Sequence, residues 1–516
     1  MDKMLVDPTG NVTVTNDGAT ILREVDVEHP AAKMICEVAK TQDDEAGDGT
    51  TTAVVFAGEL LKKAEALIEM DIHPTVIATG YRTAAEKAKE ILKDMAVPVK
   101  KTDKALLKKI AYTAMTGKSS EGIGEMLSTL AVDAVLAVEE NDKVDIENIK
   151  IEKKVGPGVM ASELIKGIVM DRKRANDGMP KAVRNAKILL ANVPLEIRKI
   201  GADTSLKIRD PAQIKGFLNQ ENDQLQRKLA AIKKSGASVV FCQKGIDDLM
   251  ANYLGKEGIL AIKSVSEGDM NKLAKATGGR VVTKLEDAMS KDLGSAALVE
   301  ERRVTGEDSL LFVEGCKNPK ALTILLRGGT NTVIDELQRA LHDALRVVGV
   351  VVEDGKIVAG GGAPEIELGL RLREFAASVG GREQMAVEAF ASALDVIPRT
   401  IAENAGLDPI DMLVALRSKH EGKGAKNFGL NVYEGKPVDM LKAGVIEPLR
   451  VKTQVINSAA EVAVMILRID DVIASGGPSE QEMMQAQAAA QQSLAHMRGG
   501  GMGGMGGMGG MGMPGM

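Results

Sequence analysis

The sequence predicts a multidomain chain of α and α/β class, in which both ends build a mainly helical framework around an inserted α/β section. Three observations carry this expectation. At 516 residues the chain exceeds what one hydrophobic core holds, and the length suits roughly three domains. Apolar residues recur at helical spacing over 29–138 and again over 384–467. Between these stretches, from 149 to 314, short β-rich runs alternate with helical segments.

In chain order, Val12-Thr13-Val14-Thr15 reads as a strand, Asn16-Asp17-Gly18 as a turn, and Ala19-Thr20-Ile21-Leu22 as a second short extended run. Asp17 is then a turn residue unless the fold carries it elsewhere. A helix follows His29-Pro30 to about residue 40. The polar run Thr41-Gln42-Asp43-Asp44-Glu45 leads into Gly47-Asp48-Gly49-Thr50-Thr51-Thr52, and a long helix continues from Ala53 with Val54, Ala57, Leu60, Leu61, Ala64 and Leu67 on its apolar face. Two glycines free the backbone for close approach, three threonines place hydroxyls where a helix starts, and a helix N-terminus attracts anions. An aspartate inside such a loop suits a hard cation such as Mg²⁺ held between carboxylate and phosphate. A Gly-Asp turn ahead of a threonine N-cap explains the same hexapeptide, and both readings stand.

Further helices are expected at 74–95, 104–115 and 121–138. Thr116-Gly117-Lys118-Ser119 is not a Walker A motif, because Tyr112 occupies the place of its first glycine. Lys118 either reaches a phosphate from a separate loop or is a solvated lysine. Strand-like runs at 187–190, 239–242, 260–262 and 280–282 alternate with helices at 247–254 and 269–277. The segment 211–234 reads as a polar amphipathic helix with Ile214, Phe217, Leu218, Leu225, Leu229 and Ile232 on one stripe, either an ordinary surface helix or a protruding arm. A strand at 323–330 precedes a helix at 331–348 in which Asp343 borders the apolar face and, taken alone, reads as a solvated charge. Gly360-Gly361-Gly362 opens another helix but fails the dinucleotide GxGxxG pattern, since Glu365 holds the last glycine's place. Helices at 384–404, 408–418 and 452–467 enclose a loop and strand at 429–433. Beyond 481 the Ala/Gln/Met and then Gly-Met-rich sequence cannot offset its ordering entropy, although its methionines offer adaptable apolar contacts.

Composition narrows the function. A net charge of −6 and a pI near 5.7 lack the basic footprint of a nucleic-acid binder. Cys36, Cys242 and Cys316 are three widely spaced thiols without metal-ligand spacing, which suits a reducing compartment. With no long uncharged apolar run and no signal peptide, the expectation is a cytoplasmic protein that engages neither membrane nor nucleic acid.

Several motifs in order resemble the signature of group II chaperonins, the archaeal thermosomes and the related eukaryotic cytosolic complex. They are Val14 through Leu22, Val27 through Lys33, Gln42 through Thr52, the Gly360 triplet, Ile397-Pro398-Arg399-Thr400, Ala402 through Gly406, and Glu447-Pro448-Leu449-Arg450-Val451-Lys452. The resemblance covers essentially the whole chain, and the Gly-Met tail is most similar to an archaeal thermosome subunit.

The resemblance implies a discontinuous, mainly helical equatorial ATPase domain at 1–101 and 356–480 and a small intermediate domain at 102–168 and 321–355. It further implies an α/β apical domain at 169–320 with a helical lid protrusion at about 200–235, and a flexible tail at 481–516. It implies ATP as substrate and Mg²⁺ as cofactor, with K⁺ a further candidate. Asp48 would hold the metal. Gly49, Thr50, Thr51, Thr52 and Lys118 would hold phosphates, Asp17 and Asp343 would orient the attacking water, and Gly360, Gly361, Asn431 and Glu447 would lie near base and ribose. The implied partners are non-native polypeptides and further subunits, identical or paralogous, in two stacked rings. The family also carries an N-terminal strand and a Leu-Gly-Pro-Lys-Gly-type loop ahead of the residues matching Met1-Asp2-Lys3-Met4, so the sequence reads as starting at an internal methionine, with ATP affinity and ring assembly affected. An ATP-independent holdase and a metabolic kinase are the competing functional classes, and no motif supplies the substrate pocket that a kinase needs.

Overall fold

The computed structural model describes residues 3–7, 9–116, 122–196, 211–306, 308–317, 319–422 and 424–473, with side chains from 222 onward in the helix that starts at Pro211. Three large hydrophobic cores organise these residues. The first is drawn from both ends of the chain. It packs the helices Thr50–Glu69, Pro74–Met95, Gly381–Ala393 and Leu449–Leu467 around Phe56, Tyr81 and Phe390. These rings meet edge-on, with centroids 5.3 Å apart for Phe56–Phe390 and 5.7 Å for Tyr81–Phe390. In a chain with 2% aromatic residues, alanines interleave with Leu, Ile and Val through the rest of this core. They let helices approach closely: a Cβ on Gly80 would collide with Ala386.

The second core joins the helices Lys104–Met115, Gly124–Val138 and Asn331–Asp354 to a three-stranded sheet. In that sheet Leu322–Gly328 pairs parallel with Ile149–Val155 and antiparallel with Glu163–Ile165, so the chain leaving for the α/β section lies beside the chain returning from it. The third core lies within the α/β section itself, in a mixed seven-stranded sheet. Its parallel part runs from Val281–Val282 through Ala182–Ala191 and Val239–Cys242 to Leu260–Ile262. Its antiparallel part adds Gly294–Thr305, Asp308–Glu314 and Gly167–Met170. The expected α and α/β architecture is therefore present.

Two local expectations change. Ala19 to Leu22 is helical, not extended, and belongs to Gly18–Glu24. Asp17 is its N-cap, its Oδ2 accepting hydrogen bonds from Thr20 N at 2.8 Å and Thr20 Oγ1 at 2.7 Å, which starts a helix where the turn motif suggested a hairpin. The polar run 41–45 is the last turn of the helix Pro30–Ala46, which ends in left-handed Gly47. Gln42 in that turn is fully buried, its amide nitrogen donating to Asp48 O at 2.7 Å.

The helix Pro211–Ser235 forms as expected. Leu225, Leu229 and Ile232 are buried in the α/β core, so this half of the helix is a packed element. The residues 197–210 of the expected protrusion, the side chains of 211–221, Lys118, and the Gly/Met-rich tail lie outside the described residues. Among the described residues no helix is long and apolar enough to cross a membrane.

Candidate functional site

The Gly47-to-Thr52 loop connects two helices that meet almost end to end, Pro30–Ala46 and Thr50–Glu69. Gly47 and Gly49 have φ of +70° and +78°, in the left-handed region where an L residue is disfavoured by roughly 1–2 kcal/mol. A Cβ on Gly47 would also run into Arg346, and one on Gly49 would sit 3.0 Å from Val451 Cγ1. Both glycines are thus required by conformation and by space. Gly49 caps the second helix without a side-chain bond, and the first intrahelical bond is donated by Ala53 N, so the N–H groups of Thr50, Thr51 and Thr52 face outward at the positive end of the helix dipole. Asp48 Oδ1 accepts from Gly49 N at 2.7 Å, which holds the carboxylate against the loop.

Two cavities meet at this loop, and both are lined by Asp48, Gly49, Thr51 and Thr52. The smaller, about 120 Å³, is completed by Thr50, Asp17, Gly18 and Asp343. The larger, about 290 Å³, is completed by Gly361, Gly362, Thr113, Thr400, Glu447 and Lys452, among others.

Long-range contacts bring Asp17 and Asp343 to the same wall. Arg339 of the helix Asn331–Asp354 donates to Val14 O at 2.9 Å, and Arg346 one turn beyond Asp343 donates to Asp44 O. Asp343 is 7% exposed, so its reading as a solvated charge is overturned: the flank of the helix that looked free is covered by the N-terminal turn. Gly18 has a matching role. A Cβ there would overlap Thr51 Oγ1 and stand 3.1 Å from Thr50 Oγ1 and 3.2 Å from Thr51 N, so the missing side chain lets the Asp17 turn lie directly on the threonine loop. Sequence reasoning saw Gly18 only as a turn residue.

Three carboxylates, Asp17, Asp48 and Asp343, therefore surround one small cavity at a helix N-terminus. Such crowding favours a cation accompanied by an anionic ligand that takes the outward N–H groups, and these donors fit Mg²⁺ with phosphate. Asp43 and His342 adjoin them, with ligand atoms of Asp43, His342 and Asp343 all within 4.8 Å of one another. Burial, then the Asp17 charge, pushes the Asp43 carboxyl up, while burial, then Arg346, pushes the His342 imidazole down.

The larger cavity is shaped by the antiparallel strands Lys356–Ala359 and Ile446–Pro448. Gly361 is left-handed at +65°, and its carbonyl accepts from Leu430 N at 2.8 Å. Gly360 lies behind it, donating its N–H to Val445 O at 3.0 Å, and is not part of the lining. Asn431 is not brought into the cavity either. Its Oδ1 accepts from Tyr433 N and Glu434 N at 3.0 and 3.2 Å, so the adjoining hairpin turn uses it. In contrast, sequence reasoning assigned no role to Lys452, which is 6% exposed and bonded to Glu447 Oε2 at 2.8 Å and Glu365 Oε1 at 2.9 Å. Its only sequence signal was membership of the Glu447-to-Lys452 motif.

Comparison with known proteins identifies the family. The family model described as the TCP-1/cpn60 chaperonin family matches residues 1–476. The chain is 59% identical to thermosome subunit beta of Archaeoglobus fulgidus over 481 residues, covering 92% of this chain and 88% of that one. It is 58% identical to a thermosome subunit of Methanopyrus kandleri over 479 residues, again 92% of this chain and 88% of the relative. A solved structure titled as the open-state monomer of a group II chaperonin from Methanococcoides burtonii superimposes with a TM-score of 0.62 at 51% identity, covering 82% of this chain and all of the other. With a match along nearly its whole length and relatives near three-fifths identity, the chain belongs to the TCP-1/cpn60 chaperonin family.

Proposed function

We propose that this chain is an ATP-dependent chaperone subunit that hydrolyses ATP and uses the energy to fold non-native polypeptides inside a double-ring cavity closed by a built-in lid. The observation that carries the reading is the pair of cavities joined at Asp48 to Thr52, the smaller flanked by Asp17 and Asp343 and the larger by Gly361, Gly362 and Glu447. A triphosphate threads the loop, with its γ-phosphate toward the two aspartates and its nucleoside toward Gly361 and Glu447. Gly49, Thr50, Thr51 and Thr52 hold phosphate oxygens, with Lys118 as a further phosphate contact. Asp48 holds Mg²⁺, which when bound neutralises charge on the phosphate oxygens. Asp17 and Asp343 orient a water oxygen toward the γ-phosphorus and accept its proton as the bond to the ADP oxygen breaks. Phosphoryl transfer needs placement and charge compensation more than covalent help, so two acceptors and a metal suffice.

In this reading the helical core of both chain ends is the equatorial domain, the core around Asn331–Asp354 the intermediate domain, and the α/β core the apical domain. Asp343 then reaches the nucleotide from the intermediate domain, so movement of that domain makes or breaks the water-orienting pair. That couples hydrolysis to shape. Relatives named as alpha and beta thermosome subunits occur in one organism, Archaeoglobus fulgidus, which supports an oligomer of identical or paralogous subunits. A cytoplasmic location completes the proposal.

The test is steady-state turnover of Mg-ATP by the wild type and by Asp343→Ala, with refolding of a chemically denatured reporter protein measured alongside and particle mass followed by light scattering. Asp343→Ala is expected to lower kcat by roughly 100-fold or more while nucleotide still binds. Unchanged turnover in that variant would remove Asp343 from the mechanism. Turnover without any gain in reporter refolding would refute the folding function.

A further inference from the structure

A transition-metal site needs imidazole and carboxylate donors that converge from separate elements and are not already spent on hydrogen bonds. Asp43, near the end of the helix Pro30–Ala46, meets His342 and Asp343 of the helix Asn331–Asp354 in this way. Arg346, one turn beyond His342, ties the two helices together by donating to Asp44 O. One ligand atom from each of Asp43, His342 and Asp343 lies within 4.8 Å of the other two, and His342 Nδ1 stands 4.0 Å from Asp343 Oδ1.

The two outer donors are available. Among the described residues, burial and neighbouring charge act on the Asp43 carboxylate and the His342 ring, and no hydrogen bond holds either. Burial, then Arg346, lowers the imidazole, so near neutral pH it is uncharged and keeps a nitrogen lone pair for a metal. The His342 side chain is 38% exposed, which opens the cluster to solvent, while that of Asp343 is 10% exposed. Around them the carboxylates of Asp17, Asp44 and Glu147 stand against the guanidinium of Arg346, an excess of negative charge that favours a dication. Bonds of about 2.0–2.2 Å to a common ion require the donor atoms to draw together by roughly 1 Å, within reach of side-chain rotation. Imidazole suits Zn²⁺, Co²⁺ or Ni²⁺ and not Mg²⁺, so this cluster selects a different ion from the one Asp48 suits.

We propose that Asp43, His342 and Asp343 form an inhibitory site for a divalent transition-metal ion, which pins the helix Asn331–Asp354 to the helix Pro30–Ala46 and holds the Asp343 carboxylate away from the small cavity. The metal site stands on these three side chains alone. Its effect on turnover rests on the nucleotide reading, in which Asp343 orients the attacking water. With that carboxylate on the ion, hydrolysis stops although the Asp48-to-Thr52 loop is untouched, and a chelator restores it.

Zn²⁺ is the probe. The nucleotide-free full chain is titrated with Zn²⁺ by calorimetry as wild type, Asp43→Asn and His342→Asn, and inhibition of Mg-ATP turnover is measured with free Zn²⁺ fixed by a metal buffer. Both substitutions are expected to weaken one Zn²⁺ site by at least about 10-fold and to raise the half-inhibiting Zn²⁺ concentration by the same factor. Wild-type affinity and inhibition in both folded variants overturn the proposal. Should the variants fail to fold, the wild type decides: Zn²⁺ must protect His342 from acylation by diethyl pyrocarbonate, read by peptide mass spectrometry, and unchanged labelling overturns the site. Zn²⁺ that protects His342 yet leaves turnover undiminished overturns the inhibitory role. Absence of Mg-ATP turnover in the metal-free wild type would defeat the nucleotide reading and the inhibitory role with it, while titration and labelling still decide the metal site.

Discussion

Gly18→Ala separates the chemistry of the site from its stability. Gly18 is the first residue of the helix Gly18–Glu24 and carries no left-handed φ, so alanine is conformationally acceptable there and, by propensity, favours the helix by up to about 1 kcal/mol. The added methyl nevertheless overlaps Thr51 Oγ1 and stands 3.1 Å from Thr50 Oγ1 and 3.2 Å from Thr51 N. Ordinary carbon–oxygen contact requires the Thr51 hydroxyl to retreat by about 1 Å and the backbone behind it by a few tenths. Thr51 has only two responses. It rotates away and removes its hydroxyl from both cavities, or it stays and pushes the Asp17 turn off the loop. Under the proposed mechanism either response misplaces the groups assigned to the γ-phosphate and the water, and a displacement of about 1 Å costs on the order of 100-fold in rate. The assay is steady-state Mg-ATP hydrolysis beside thermal unfolding followed by circular dichroism. The expected result is a fall in kcat of about 100-fold with a melting temperature unchanged or slightly raised. Wild-type kcat in a folded Gly18→Ala protein would refute the close approach of the Asp17 turn as a catalytic requirement.

Two further outcomes follow from groups outside the Gly47-to-Thr52 loop. Burial pushes the thiols of Cys242 and Cys316 up to about 11, whereas Cys36 is half-buried on the helix Pro30–Ala46. Against the ordinary value of 9.0, the buried pair holds about 100-fold less thiolate near neutral pH, so a disulfide reagent should modify Cys36 first and the other two only on unfolding, as counted by mass spectrometry. His342, among Asp43, Asp17, Glu147 and Arg346, is held below its ordinary 6.5 chiefly by burial. The unfolded chain therefore takes up this proton first as pH falls through 6.5, and native stability declines from there toward the lower native value. Asp43 is raised instead, and its contribution is lost as pH rises through its native value, starting from 3.8. His342→Asn should flatten the decline of the urea midpoint just below pH 6.5, and an unchanged slope would refute the assignment.

What could be read from the sequence divides along the range of the interactions. The Gly47-to-Thr52 loop was legible because its requirements are local: Gly47 and Gly49 take left-handed φ, and Thr50 to Thr52 form the first turn of a helix whose later residues repeat at helical spacing. The α/β insert was legible for the same reason, each strand and helix having its own periodicity. Boundaries failed where a polar side chain does backbone work. Asp17 caps a helix, and Gln42 is buried to hold Asp48 O, yet in sequence both look like turn or solvent residues. The pairing of Asp17 with Asp343 was invisible to periodicity, because it depends on Arg339 reaching Val14 and Arg346 reaching Asp44 across more than 300 residues. Only the family resemblance linked those two aspartates. Even that resemblance assigned nothing to Lys452 or Glu365, since a charge in a sequence reads as solvated until the fold surrounds it. Lys452 and Glu365 are thus residues whose burial is compensated by partners distant in sequence, which no local pattern records.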